Sequence, residues 1–299
     1  MAPLPLLLPL RVGRRARPRP GAVPLAALGL SLLLALGLLL TPPPAPAGAA
    51  AHEVYVRTPS GAPDASVQVV VALHGMGDNG PDFAAPLAAC ADQHRWLLVA
   101  PTMPYGDWTD PAQLAQEEPS LVASLSEYVR QLPDRTGLPL RPRVVVLGHS
   151  RGAQLALRFA QVHPEQVAAV AALSAGTYTL PLEQDPRTGQ PLVFPFGVAD
   201  LASYTGGQAF DAAAFARVPV WLGVGAHDDQ PGAVPRAWDG YLGDNRVDRA
   251  RAFAASLGEL GNSAALVVFP DTEHTLTEAM RADACAALAQ ATAADPAAS

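Results

Sequence analysis

Six short runs of Val, Leu and Ala recur along the chain: VQVVVALHG (67–75), RWLLVAP (95–101), RVVVLGHS (143–150), VAAVAALSAG (167–176), VPVWLGVGAHD (218–228) and AALVVFP (264–270). They are continuous rather than alternating, and most end in Gly, Ser, His or Pro, so each predicts a strand buried on both faces. EVYVRTPS (53–60) predicts a further strand at the start. Between the runs lie PSLVASLSEYVRQL (119–132), GAQLALRFAQVH (152–163) and RVDRARAFAASLGELG (246–261), whose apolar residues recur at helical spacing. Strand and helix in alternation predict an α/β protein: a mostly parallel, doubly wound sheet with helices on both faces, in one domain over 52–299. A TIM barrel needs eight regular repeats and would not leave 177–217 as one long irregular stretch.

The first fifty residues have a different character. Five Arg (Arg11, Arg14, Arg15, Arg17 and Arg19) precede the apolar stretch at 22–40, which is followed by TPPPAPAGAAA with small residues at A-x-A spacing. A basic start, an apolar middle and a small-residue exit form the layout of a secretory signal peptide. Nineteen apolar residues also approach the roughly 20 that cross a bilayer, so residues 1–51 predict either a cleaved signal or a retained membrane anchor. Positive charge ahead of the apolar stretch keeps that end inside in both cases, and the remaining chain is exported. The opening MAPLPLLLPL (1–10) has no place in this layout, and a gene start set too far upstream would account for it.

The chain of 299 residues contains 20 Arg, no Lys, and 27 Asp and Glu, the first of them Glu53. Without its first 51 residues it retains 15 Arg against the same 27 acids, a net charge of −12. A body this acidic argues against nucleic acid and against an anionic lipid surface as partners, leaving the N-terminal segment as the route to a membrane. No cluster of His, Cys, Asp or Glu has metal-ligand spacing, and no G-x-G-x-x-G follows a strand, so neither a metal nor a nicotinamide or flavin cofactor is expected. The two cysteines, Cys90 and Cys285, fit either an exported disulfide or two buried thiols.

The sharpest chemical signal is Gly148-His149-Ser150-Arg151-Gly152, placed between VVVL and AQLALRFA. A G-x-S-x-G at a strand-to-helix turn forces its serine into a strained conformation and presents the hydroxyl above the sheet edge. A serine hydroxyl is a weak nucleophile until a base takes its proton, and a third group must hold that base in the right tautomer. His274 suits the base, in a polar loop four residues beyond VVFP. The other histidines suit it less: His52 precedes the first strand, His94 and His163 end helices, and His74, His149 and His227 adjoin other motifs. The acid belongs at the end of the strand between serine and histidine, where VPVWLGVGAHDD offers Asp228 and Asp229. One oxyanion donor is the backbone N–H of Arg151; the second belongs to HGMGDNG (74–80), where Gly75 and Gly77 allow close backbone approach. That loop lacks the Lys-Ser/Thr of a phosphate cradle.

In LHGMGDNG (73–80), GHSRG (148–152), VGAHDD (224–229) and FPDTEHT (269–275), taken in that order, the chain resembles serine hydrolases of the α/β-hydrolase superfamily over about residues 54–290. In detail it resembles bacterial esterases related to polyhydroxybutyrate depolymerases and feruloyl esterases. The resemblance implies Asp228, three residues after Gly225, as the acid, with Asp229 as the alternative, and the N–H of Met76 as the second oxyanion donor. With the export segment and the lack of metal or cofactor motifs, the expectation is an exported serine hydrolase acting on a small-molecule or polymeric ester without cofactor. Thioesterase, peptidase and acyltransferase activities use the same triad, and a hydrolase-like binding protein would keep the fold without turnover. Residues 177–217, with Phe194, Phe196, Tyr204 and Phe210, suit either a partial lid over the acyl pocket or an edge insertion with its own small core. Trp108 is a candidate wall of the same cleft.

Overall fold

The computed structural model describes residues 53–61 and 65–294; the expected export segment lies outside the described residues. Among the described residues no helix is long and apolar enough to cross a membrane.

The described residues form a seven-stranded sheet of β1 (Val54–Arg57), β2 (Val69–Leu73), β3 (Leu97–Pro101), β4 (Val144–His149), β5 (Val167–Leu173), β6 (Val220–Gly225) and β7 (Ala265–Phe269), in the order β1-β3-β2-β4-β5-β6-β7. β1 runs antiparallel to β3, and every other pairing is parallel. All seven coincide with the runs singled out in the sequence. The reason is visible in β2: every residue from Val69 to Leu73 is buried, because alternate side chains serve two cores. Val69, Val71 and Leu73 face one, and Val70 and Ala72 face the other. A strand covered on both sides has no polar face to alternate with.

Eight α-helices are described: α1 (Gly80–Ala84), α2 (Ala88–His94), α3 (Pro111–Thr136), α4 (Arg151–Val162), α5 (Ala212–Ala216), α6 (Asp239–Leu242), α7 (Arg246–Glu259) and α8 (Glu278–Ala293). Phe83 of α1, Ala91 of α2 and Met280 of α8 pack with Val70, while Leu125 of α3, Phe159 of α4 and Phe253 of α7 pack with Val71. α3 departs from expectation. The pattern predicts a helix from 119, yet the helix begins eight residues earlier, capped by the Asp110 side chain on the N–H of Ala112, and continues through Pro119. The added turns bury Leu114 and Glu118. Burial in the tertiary structure outweighs the hydrogen bond that Pro119 cannot make.

Every residue of α4 is buried, polar ones included. It is therefore a helix inside the molecule rather than on it, lying against β4, β5 and α3. Its polar residues find partners in the interior: Gln154 accepts from the Thr177 hydroxyl at 2.8 Å, and Arg151 and Arg158 meet Glu118. Cys90 of α2 and Cys285 of α8 form a disulfide on the opposite side of the sheet, with a Cα–Cα distance of 6.2 Å. It ties the last helix to the first third of the domain.

Candidate active site

The carboxyl ends of β4, β6 and β7 and the loop after β2 converge on Ser150. Ser150 lies between β4 and α4 with φ 54° and ψ −116°, a strained conformation that a non-glycine residue holds only where its surroundings enforce it. The flanking glycines are required by contact. A Cβ on Gly152 would sit 2.0 Å from the Leu73 carbonyl oxygen, and one on Gly148 2.3 Å from that of Gly152. The turn is thus wedged between strand ends with room for hydrogen alone.

His274 stands in the loop between β7 and α8, its side chain 34% exposed. Its Nδ1 is 2.7 Å from Asp228 Oδ2, and its Nε2 is 3.0 Å from Ser150 Oγ. A carboxylate can only accept, so the Nδ1–H donates to Asp228 and Nε2 is left to accept from the serine hydroxyl. Of the two acids in the sequence, it is Asp228 that meets the histidine; Asp229 is exposed and accepts from the Gln230 side chain. Burial alone would raise the Asp228 carboxyl, but the hydrogen bond from His274 and the charge of Arg246 outweigh it and hold it below the ordinary value.

The ring of His149 stacks on that of His274, centroids 5.1 Å apart. Burial, followed by repulsion from His274, pushes the His149 imidazole down to about 3. It is therefore uncharged at neutral pH.

The loop after β2 closes the other side. The Gly75 backbone lies so near Ser150 that a Cβ there would be 3.4 Å from Ser150 Cβ. His74, buried, ties the loop down: its Nδ1–H donates to the Gly75 carbonyl at 2.7 Å, and its Nε2 accepts from the Met103 N–H at 2.8 Å. Burial lowers the basicity of His74, consistent with a neutral ring making one donor and one acceptor bond. Met76 follows at the exposed tip, 44% accessible. Arg151 is the first residue of α4, where the N–H has no intrahelical acceptor.

Three features of this neighbourhood were not legible in the sequence. The first is the anchorage of Arg151, whose side chain is fully buried. It bonds Glu118, donates to Glu117 at 3.0 Å and lies 4.8 Å from the centre of the Tyr105 ring. Glu118 also faces Arg158 at 3.5 Å, and Arg158 donates to Thr177 and Thr179. Arg151, the residue next to Ser150, is thereby bolted to α3. The second is Arg246 of α7, 3.0 Å from the free oxygen of Asp228. The third is the location of Trp108, whose ring covers Gly176 so closely that a Cβ there would meet it at 2.5 Å. Of the aromatics in 177–217, Phe196 packs on Trp238 and Tyr241, Phe194 on Tyr204, and Phe210 on Phe215.

A family model described as alpha/beta hydrolase fold matches residues 68–219. No curated protein matches the chain. Solved structures that resemble it include poly(aspartic acid) hydrolase-1 from Sphingomonas sp. KT-1, with 20% identity, TM-score 0.56, and 79% of this chain and 90% of that one covered. Esterase PE8 is similar at 21% identity and TM-score 0.53, covering 80% and 98%. A phospholipase/carboxylesterase from Dyadobacter fermentans DSM 18053 is similar at 20% identity and TM-score 0.52, covering 80% and 96%. At these identities the likeness is one of fold.

Proposed function

The chain belongs to the α/β-hydrolase fold family, and from that premise we propose that it is a serine hydrolase that cleaves carboxylic esters through an acyl-serine intermediate. The observation that carries this is the continuous line from Asp228 through His274 to Ser150, at 2.7 and 3.0 Å. Ser150 Oγ attacks the ester carbonyl carbon while His274 Nε2 takes its proton, and Asp228 stabilises the imidazolium that forms. The N–H groups of Met76 and Arg151 receive the oxyanion of the tetrahedral intermediate. The imidazolium then protonates the departing alkoxide, leaving the acyl group on Ser150. Water then attacks the acyl carbon as His274 takes its proton; the acyl–Oγ bond breaks and the imidazolium returns that proton to Ser150 Oγ, releasing the acid. His274 relays every proton in this sequence.

Export is part of the same proposal. Basic and apolar composition in residues 1–51 and the Cys90–Cys285 disulfide both suit an oxidising compartment outside the cytoplasm.

A fluorophosphonate probe tests the chemistry. It should label the wild-type protein at Ser150, fail on Ser150→Ala, and react far more slowly with His274→Ala. Absence of labelling on folded wild-type protein would overturn the proposal. Matched p-nitrophenyl ester, thioester and anilide substrates then separate esterase from thioesterase and peptidase, with the ester turned over fastest.

A further inference from the structure

We propose that Arg246 is a positioning residue of the triad, holding the Asp228 carboxylate in register for His274 and tuning the dyad with its charge. This rests on the hydrolase assignment above. Asp228 has two oxygens and each has a separate partner: Oδ2 meets His274 at 2.7 Å, and Oδ1 accepts from Arg246 Nη1 at 3.0 Å. Both side chains of the Arg246–Asp228 pair are almost wholly buried, at 5% and 2% exposure. With one oxygen pinned by the arginine, the carboxylate cannot rotate about its last bond without losing a buried charge-assisted bond.

Stability does not explain an arginine here. It is the first residue of α7, where the helix dipole disfavours a cation. A buried ion pair of this kind is often no more stabilising than apolar residues of equal volume. Arg249, one turn along the same helix, shows what a structural arginine looks like. It donates to the carbonyls of Gly176, Pro235 and Gly243 and to the Asp239 carboxylate.

The groups that share this space with the dyad are few. His149 stacks on His274 and stays neutral; Trp108 lies 5.9 Å from the Arg246 guanidinium; burial raises the Tyr178 hydroxyl, which stays protonated. Arg249 is paired with Asp239, and the neighbouring carboxylates Asp229 and Glu273 are exposed to solvent, where their charge is screened. Arg246 is therefore the strong, unscreened charge on the dyad. Removing it makes protonation of the Asp228–His274 pair easier, which inactivates the base at higher pH.

The test is kcat/KM against pH on a p-nitrophenyl ester, with thermal melting alongside, for wild type, Arg246→Met, Arg246→Lys and Arg249→Met. Arg246→Met should lower kcat by about ten- to a hundredfold with KM within about twofold. Its acidic limb should move upward by about half a pH unit or more. Arg246→Lys keeps the charge, so the limb should stay in place and kcat should recover in part. Arg249→Met should lower Tm and leave the limb unmoved. An Arg246→Met limb coincident with wild type overturns the proposal, as does an equal displacement in Arg249→Met. If Arg246→Met does not fold, Arg246→Lys decides: a displaced limb in that variant overturns the charge assignment. Failure of the hydrolase assignment itself is distinct, because wild type would then show no turnover at all.

Discussion

Asp228 and His274 are separated by 46 residues of sequence and by 2.7 Å in space. Asp229, one residue from that carboxylate, looks outward to solvent. Asp228→Asn offers His274 an amide that no longer enforces the productive tautomer, so kcat should drop by about 10⁴-fold, and Tm should fall as buried Arg246 loses its counter-charge. Asp229→Asn should stay within about twofold of wild type. Ester hydrolysis by the two purified variants is the measurement, and the reverse order would reassign the acid.

Two glycines beside Ser150 should respond differently to the same added methyl group. A Cβ on Gly152 would lie 2.0 Å from a backbone oxygen that cannot move aside, whereas one on Gly75 would make ordinary contacts from 3.4 Å outward. Gly152→Ala should fail to yield folded protein, or should melt far below wild type. Gly75→Ala should fold with a stability change within about 1 kcal/mol, and should lower ester turnover because the added methyl group takes up space directly beside Ser150. Circular dichroism melts and ester kinetics on both variants check the contrast.

Glu118 gives the fold an acid-sensitive joint. Burial pushes its carboxyl up, but Arg151 and Arg158 outweigh burial and hold it below the ordinary value of 4.5. A carboxylate depressed in the folded state contributes stability above its unfolded value and loses that contribution as pH falls through the folded one. Wild type should therefore lose stability progressively on acidification below about pH 4.5. Glu118→Gln should be destabilised at neutral pH by about 3–5 kcal/mol, because two buried guanidinium groups lose their shared counter-charge. It should also show a shallower acid dependence, measurable as Tm against pH. An acid dependence as steep as that of wild type would show that Glu118 is not the titrating group.

The Cys90–Cys285 disulfide closes a loop of 195 residues. By chain-entropy reasoning, Cys90→Ala with Cys285→Ala should cost about 2–5 kcal/mol. Reductant should lower the melting temperature of wild type and leave the double variant unaffected. Turnover at 25 °C should be preserved, since the bridge lies across the sheet from Ser150. Loss of activity in the still-folded double variant would contradict this separation.

The sheet and the strained turn at Ser150 were legible in the chain itself because their determinants are local. A strand covered on both faces must be apolar throughout, as Val69–Leu73 and Val167–Leu173 are. A strand-to-helix turn that leaves no room beside Ser150 must have glycine at 148 and 152. His274 could be singled out for a related reason, since a polar loop directly after the strand VVFP places a side chain at the sheet's carboxyl edge. What depends on meetings between distant segments left no local trace. Which of two adjacent acids turns toward His274 depends on the backbone after β6. The pairing of Cys90 with Cys285 depends on α2 and α8 sharing one face of the sheet. The start of α3 at residue 111 depends on Glu118 finding two buried arginines. Arg246 reads in isolation as one more cation on a charged helix, and even as a misplaced one at its first turn. Only the packing of α7 against the end of β6 sets it 3.0 Å from Asp228, because burial and charge pairing are properties of the assembled molecule. The sequence thus determined the sheet and the strained turn that carries the serine, and tertiary structure decided which charges stand around it.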